Sequence, residues 1–413
     1  MNVLLVGGGG REHALAWALS KSPALTALHA APGNPGIASH ATCHPVAADD
    51  AEGLLGLAGS LRIQLVVVGP EGPLVAGVAD VLRHAGIPVF GPSAAAAAIE
   101  GSKHFAKDVM EAAGVPTARR LPQAKAPCVL KVDGLAAGKG VVVCHTAAEV
   151  RAGLELVESF GGAIVIEELL VGPEVSLFAL CDGRRAFALG TAQDFKRAFD
   201  GDSGPNTGGM GSYAPVAWLD SPKVEHLLEL TVLPVLAELE QRGAPFRGVL
   251  FVGLMLTENG PRVLEYNCRF GDPETQSVLP LVDGDLLVAL AAAAAGDVSD
   301  VTLGQRAAAA VTVVLTAAEY PAGEDRGTPI VGLEQAEAAG VLVFHAGTAR
   351  RDGTLVTNGG RILDVTAVGA TLEQARLAAY DAVELVGWSG ARRRNDIALR
   401  AASGGVSWPP AIG

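Results

Sequence analysis

Four short runs of apolar residues, each closed by a glycine- or proline-rich turn, open the chain. Val3–Val6 runs into glycines and Leu25–Ala30 into Ala31-Pro32-Gly33-Asn34. Leu65–Val68 is followed by Gly69-Pro70-Glu71, and Val89-Phe90 by Gly91-Pro92-Ser93. An alanine-rich stretch from about Glu12 to Leu19 reads as helix. Strands that are apolar throughout and pass through such turns into helices predict a parallel sheet covered on both faces. Ligands of such sheets sit at the carboxyl ends of the strands. Here those ends carry Gly8–Arg11, Asn34 and Glu71.

The pattern changes near Gly101. Strands are expected at Cys128–Val132, Val141–Cys144, Ala163–Glu167, Val175–Cys181 and Arg185–Leu189. Asp194–Pro215 is rich in Gly, Asp, Asn and Ser, has no periodicity, and reads as a long functional loop. Val224–Gln241 reads as one amphipathic helix. Val249–Leu256 and Arg262–Asn267 pair across a Glu258-Asn259-Gly260 turn. From about Ala307, strands at Ala310–Leu315, Gly340–Ala346 and Arg361–Val368, a turn at Asn358-Gly359-Gly360 and a helix over Leu372–Val386 make a smaller α+β unit. The tail from Gly404 is expected to fray.

Composition narrows the function classes. At 413 residues and 49% hydrophobic, the chain has material for several buried cores, roughly two to four domains of about 100–200 residues each. A net charge of −13 lacks the basic footprint of a nucleic-acid binder. No run of about 20 apolar residues is present to span a membrane, and the N-terminal run is too short for a signal peptide. The five cysteines have neither zinc-ligand nor thioredoxin-like spacing, which fits a reduced, cytoplasmic protein. Lysine is scarce, with eight in the chain, so where it occurs is informative.

Gly7-Gly8-Gly9-Gly10-Arg11-Glu12 stands between a strand and a helix but misses the dinucleotide fingerprint, because the third glycine would fall at His13. It is either an anion site built on free backbone N–H groups or a structural turn. Lys131-Val132-Asp133-Gly134-Leu135-Ala136-Ala137-Gly138-Lys139-Gly140 has the wrong spacing for a P-loop and joins two strands. It reads as a flap over a triphosphate, with Lys131 aimed at the phosphates, or else as a flexible hairpin. Ile164–Leu170 is a strand whose end could pair with an adenine edge, with Glu174 soon after; solvated glutamates give the plainer reading. Glu265 and Asn267 share one strand face and are hard ligands suited to magnesium, and Arg269 continues that face as a clamp for carboxylate or phosphate. The alternative there is a polar strand edge.

GGGREHA, APGN, EGSKHFAK, KVDGLAAGKGV, IEELL, TGGMG, LEYNCRFGDPETQ, VFHAGT and VTNGGR, in that order, resemble the glycinamide ribonucleotide synthetase family of ATP-grasp ligases, from Met1 to about Leu399. The resemblance implies an α/β multidomain fold. A preATP-grasp domain with a doubly covered parallel sheet would span residues 1–100. An ATP-grasp core over 101–306 would carry a lid at about 117–182, followed by a C-terminal α+β domain over 307–400 and a tail of 401–413. It implies ATP with Mg2+ or Mn2+, and the substrates glycine and 5-phosphoribosylamine. Lys103, Lys131, Gly138, Lys139, Gly140, Glu167, Glu168, Leu170 and Glu174 would meet ATP; Glu265 and Asn267 would hold metal. Asp194, Lys196, Asn206, Thr207, Gly208, Gly209, Met210, Arg269 and Asp272 would surround glycine and the transferred phosphoryl group, with Asp194, Arg269 and Lys131 catalytic. Gly9, Gly10, Arg11, Glu12, Asn34, Pro70 and Glu71 would line the phosphoribosylamine side.

Two departures stand out. Gly253-Leu254-Met255 occupies the stretch where many ATP-grasp enzymes carry a further metal-binding acid, and the linker from Pro116 to Leu130 is short. The competing expectations are another carboxylate–amine ligase on the same fold, a nicotinamide-dependent oxidoreductase built on the first sheet, and a non-catalytic ATP-binding protein. No nucleic-acid or membrane partner is expected, and the expected working unit is a monomer.

Overall fold

The computed structural model describes residues 1–135 and 140–405. Gly138, Lys139 and the last eight residues of the expected tail lie outside them. The five N-terminal strands form one parallel sheet in the order Thr42–Cys43, Ala27–Pro32, Asn2–Gly7, Leu65–Val68, Val89–Phe90. Val3 to Val6 are wholly buried, as an apolar strand covered on both faces requires.

An eight-stranded sheet follows, in the order Gly260–Asn267, Arg247–Thr257, Glu174–Asp182, Ala186–Asp194, Gly211–Ala214, Ala309–Thr316, Arg361–Gly369, Leu342–His345, with antiparallel neighbours throughout. Its two faces carry different cores. Leu177, Ala179, Leu250 and Val252 belong to one, and Phe178, Leu180, Val249 and Phe251 to the other, as the two-residue period dictates. A small three-stranded sheet, Val141–Cys144, Cys128–Val132 and Ile164–Glu168, packs on the helix Ala147–Glu158 around its own core of Leu130, Val132, Val150 and Val157.

Three sequence expectations are corrected. Asp194–Pro215 is not one loop: Arg197–Phe199 and Ser203–Asn206 pair as a hairpin, and Gly211–Ala214 is an interior strand of the long sheet. The expected helix Val224–Gln241 is two helices, Ser221–Thr231 and Leu233–Gln241. Pro234 stands in the first turn of the second, where its missing N–H is harmless, and could not have continued the first. The strands of the C-terminal unit do not form a sheet apart. They continue the central sheet, because Ala309–Thr316 pairs with Gly211–Ala214; only Asp325–Pro329, Thr354–Gly359 and Thr348–Arg351 form a separate sheet.

Candidate functional site

Lys131 and Lys107 are anchored by one buried acid, Glu167. Lys131, 7% exposed at the end of its strand, donates to the Leu264 carbonyl (2.9 Å) and pairs with Glu167 Oε2 (2.7 Å). Lys107, 2% exposed, holds Glu167 Oε1 (2.8 Å) and also donates to Thr117 Oγ1 (2.8 Å) and the Ala118 carbonyl (2.5 Å). Glu167 therefore has both oxygens committed to ammonium groups, and any contact it makes with a base is through its backbone. Its side chain is a strut, a role the sequence reading missed along with the part of Lys107. Lys103 opens the helix Lys103–Ala112; its Nζ donates to the Gly134 carbonyl (2.9 Å), and its N–H to Asp133 Oδ1 (2.5 Å). Gly140 stands at the base of the glycine loop, where its carbonyl accepts from the Val132 N–H (2.8 Å).

The strand Ile164–Glu168 ends where the hinge was expected. The Glu168 N–H donates to the Arg119 carbonyl (3.0 Å), and its carboxylate accepts from the Arg119 N–H (2.9 Å). Two residues on, Leu170 lies beyond the strand end with no hydrogen-bond partner for its N–H among the described residues. Glu174, expected at a ribose, is held by Lys196 Nζ.

Glu265 is where the halves of the site meet. It lies opposite Gly253, where a Cβ would come within 3.3 Å of Glu265 Cγ, so the glycine leaves room for the acid. Burial acts to raise its carboxyl, but Lys196, Lys131, Lys103 and Arg269 outweigh it and hold Glu265 below its ordinary value. Burial, then Glu274 and Glu265, push Asp194 well above the carboxylate range, and burial raises Glu274 too. Among the described residues no three His, Cys, Asp or Glu side chains approach closely enough to cage a metal. The set nevertheless fits magnesium or manganese: Glu265 and Asn267 supply two hard oxygens beside repelling buried carboxylates, and such ions take their remaining ligands from phosphate and water.

The far wall ties the N-terminal loop to the strand end. Arg269 donates through Nε to Glu71 Oε2 (3.1 Å), through Nη2 to Asn267 Oδ1 (3.3 Å), and pairs with Glu100 Oε1 (2.9 Å). Its fork, expected free for substrate, is thus engaged by two acids. Burial opposes the charge of Glu71, but Arg269 and Arg11 hold its carboxyl down at about 2. Glu12 caps its own helix by accepting from the Gly9 N–H (2.7 Å) and from Arg11 Nε (2.6 Å). Gly7, at φ +126°, and Gly69 leave the space in which Glu12 lies. Pro70 caps the short helix Glu71–Val75. The Asn34 amide is fully used, donating to the carbonyls of Gly8 (2.9 Å) and His345 (2.6 Å) and accepting from Gly36 and Ile37 N–H (both 2.9 Å). It shapes the wall and has nothing left for a ligand.

The glycine-rich loop is pinned from the C-terminal region. Arg361 donates to the carbonyls of Gly208 (2.6 Å) and Asp272 (2.8 Å) and to Asp272 Oδ2 (2.7 Å), and the Gly208 N–H donates to Tyr320 OH (2.9 Å). Thr207 donates through N (2.7 Å) and Oγ1 (2.8 Å) to the Lys196 carbonyl, and Gly209 N–H to Thr207 Oγ1 (3.0 Å). Met210 is wholly buried beneath, and Asn206 Nδ2 reaches the Val141 carbonyl of the small sheet (3.3 Å). Gly10 leaves room for Asp364, which accepts from Gln276 (2.9 Å). The sequence reading missed Glu100, Arg361, Tyr320, Gln276 and Asp364; the arginine closing VTNGGR and the glutamine closing DPETQ were the available signals.

Three family models, described as the N, ATP-grasp (A) and C domains of phosphoribosylglycinamide synthetase, match residues 1–100, 101–275 and 310–400. The phosphoribosylamine–glycine ligase of Streptomyces coelicolor is 51% identical over 97% of this chain and 100% of its own length. That of Mesorhizobium japonicum is 48% identical over 97% and 98%. The crystal structure of the Thermotoga maritima phosphoribosylamine–glycine ligase superposes with a TM-score of 0.84 at 36% identity, covering 96% of this chain and 100% of that one. A biotin carboxylase domain of Hydrogenobacter thermophilus, solved with MgADP, shares the fold at a TM-score of 0.67 and 19% identity, over 95% of this chain and 91% of its own. By this match along nearly its whole length, the chain belongs to the phosphoribosylglycinamide synthetase family of ATP-grasp enzymes.

Proposed function

We propose that the chain joins glycine to 5-phosphoribosylamine with cleavage of ATP to ADP and phosphate, forming glycinamide ribonucleotide for purine (IMP) synthesis. The observation that carries this reading is the group of Lys103, Lys131, Lys196 and Arg269 around the half-buried, ionised Glu265. A glycine carboxylate oxygen attacks the γ-phosphorus and ADP leaves; the phosphoribosylamine nitrogen then attacks the acyl carbon of glycyl phosphate, loses a proton and expels phosphate. Such chemistry needs alignment and charge neutralisation more than a side-chain nucleophile.

Lys103 and Lys131 neutralise ATP phosphates, with Lys139 and its flanking glycines as the flap. The Glu168–Leu170 backbone receives adenine. Glu265 and Asn267 hold Mg2+ or Mn2+, which when bound supplies further neutralisation of phosphate charge. Asp194, Lys196, the Asn206–Met210 loop, Arg269 and Asp272 form the glycine end, and Gly9–Glu12 with Pro70-Glu71 the phosphoribosylamine end. Closure of the small sheet protects the acyl phosphate from water. A monomer in the cytoplasm, with its five free cysteines reduced, is the proposed working state. ADP release should require both glycine and phosphoribosylamine; ADP release that ignores glycine overturns the reading.

A further inference from the structure

The largest fully buried side chain among the described residues is a cation, Arg394, 1% exposed. It lies past the helix Leu372–Val383, yet what it holds is some 190 residues away in sequence. Its Nε and Nη2 donate to the two oxygens of Asp396 (2.7 Å each). Its Nη1 donates to Asp202 Oδ1 (2.8 Å) and to the Arg197 carbonyl (3.0 Å), and Cζ lies 5.2 Å from the centroid of the Phe195 ring. Its neighbours grip the same target. Asn395 donates through N (2.8 Å) and Nδ2 (3.0 Å) to the two oxygens of Asp200, and the Gly201 N–H donates to Asp396 Oδ2 (2.8 Å). The Arg392 guanidinium stands 5.0 Å from the Phe199 ring centroid.

Apart from the local Arg394–Asp396 pair, these contacts fall on Phe195 or on the hairpin Arg197–Phe199/Ser203–Asn206 and its tip. Two strands this short, paired with a register shift and ending in an exposed tip, do not hold a shape by themselves. The hairpin base is nevertheless where shape matters. It runs on one side into Asp194 and Lys196 and on the other into Thr207–Met210, and the two sides are joined by the Thr207 bonds to the Lys196 carbonyl. The bidentate Arg394–Asp396 pair fixes the guanidinium's orientation, so that its remaining nitrogen is aimed at Asp202 and the Arg197 carbonyl.

We propose that Arg394 is a positioning residue for the ligase reaction: from the C-terminal segment it locks the 197–206 hairpin, and so sets Lys196 and the glycine-rich loop at the glycine end of the site. The assignment of that end to glycine rests on the functional reading above; the lock itself does not.

The test compares Arg394→Ala, Arg394→Lys and Asp202→Asn in the full chain by steady-state kinetics for each substrate, thermal melting, and trypsin cleavage after Lys196 and Arg197. Arg394→Ala should speed that cleavage and raise KM for glycine about tenfold, with KM for ATP within about twofold. Arg394→Lys should recover only part, since an ammonium cannot form the two-pronged pair. Asp202→Asn, which leaves the Arg394–Asp396 pair intact, should show the same split more weakly, and it carries the test if the alanine variant does not fold. Unchanged cleavage with unchanged KM for every substrate, in Arg394→Ala or in Asp202→Asn should the former not fold, overturns the proposal. Faster cleavage with KM rising for phosphoribosylamine in place of glycine upholds the lock and overturns the glycine assignment.

Discussion

Glu265 is half-buried, and four surrounding cations hold its carboxyl below its ordinary value against the pull of burial. Glu265→Gln should lower ADP release at least about a hundredfold, the scale for losing a preorganised charge at a reacting phosphate. It should also lower the melting temperature, because a carboxyl held below its ordinary value stabilises the fold when ionised. Retained turnover at saturating Mg2+ would remove this residue from the metal site. Asp364 is the opposite case. Burial, then Asp272, raise its carboxyl to about 7, against the partial relief of Arg361 and Gln276, and its Oδ1 and Gln276 Oε1 have no hydrogen-bond partner. The unfolded carboxyl titrates near 3.8, so between about pH 4 and 7 the unfolded state gives up its proton first, and rising pH erodes stability. Asp364→Asn should melt with the parent protein near pH 4 and above it at pH 8. The gap should reach up to about 4 kcal/mol, at about 1.4 kcal/mol for each pH unit between the two titrations. Equal melting at both pH values would show that the charge finds a partner in solution.

At the scale of elements, agreement between pattern and structure follows how local the stabilising contacts are. Leu65–Val68, Cys128–Val132 and Val141–Cys144 fall on the expected residues because short, largely apolar runs bounded by turn residues identify strands. The hairpin at 197–206 was illegible because Gly, Asp and Asn make up half of it, and the strand Gly211–Ala214 because it is only four residues long; the partners of both come from Ala309–Thr316, Tyr320, Arg361 and Arg394, all distant in sequence. The site divides similarly. Glu100 and Lys107 both lie inside the EGSKHFAK motif, yet that they brace Arg269 and Glu167 shows only once the fold pairs them. Glu167 makes this testable. Glu167→Gln leaves Lys107 and Lys131 buried without a counter-charge, and breaking such a pair costs about 3–5 kcal/mol. Urea unfolding should show that loss, and KM for ATP should rise as Lys131 moves. An unchanged urea midpoint would mean that water already solvates the pair.

Across the whole molecule the N- and C-terminal regions are joined at a cluster that must stay uncharged. The His345 N–H donates to His13 Nδ1 (2.8 Å), which fixes that nitrogen as an acceptor, and the His13 ring lies 5.6 Å from His40 and 5.4 Å from His345 between centroids. Asn34 crosses the same seam to the His345 carbonyl, and Gly36 leaves the space against both His13 and His345. Burial, then His345 and His40, hold His13 well below its ordinary value; burial, then Arg350, bring His345 down to about 4; and burial and Lys21 lower His40. A histidine with a depressed folded pKa contributes nothing adverse above its unfolded value of 6.5 and destabilises progressively as pH falls from there to about 4. This slope opposes that of Asp364 over the same interval, so the two offset each other in the parent protein and separate in variants. His345→Gln should flatten the histidine limb by about 3 kcal/mol between about pH 6.5 and 4, at about 1.4 kcal/mol per pH unit. The parent would then melt lower than the variant at about pH 4.5, relative to their order at about pH 7.5. Combining His345→Gln with Asp364→Asn should remove both of these slopes and leave the acid-side limb of His13 and His40. Asp364 stands opposite Phe344 and Leu363 opposite His345, so the two titrating side chains point to opposite faces of the sheet and their effects should add. A double variant whose change in pH slope is not the sum of the two single changes would show that the two groups act through a shared partner.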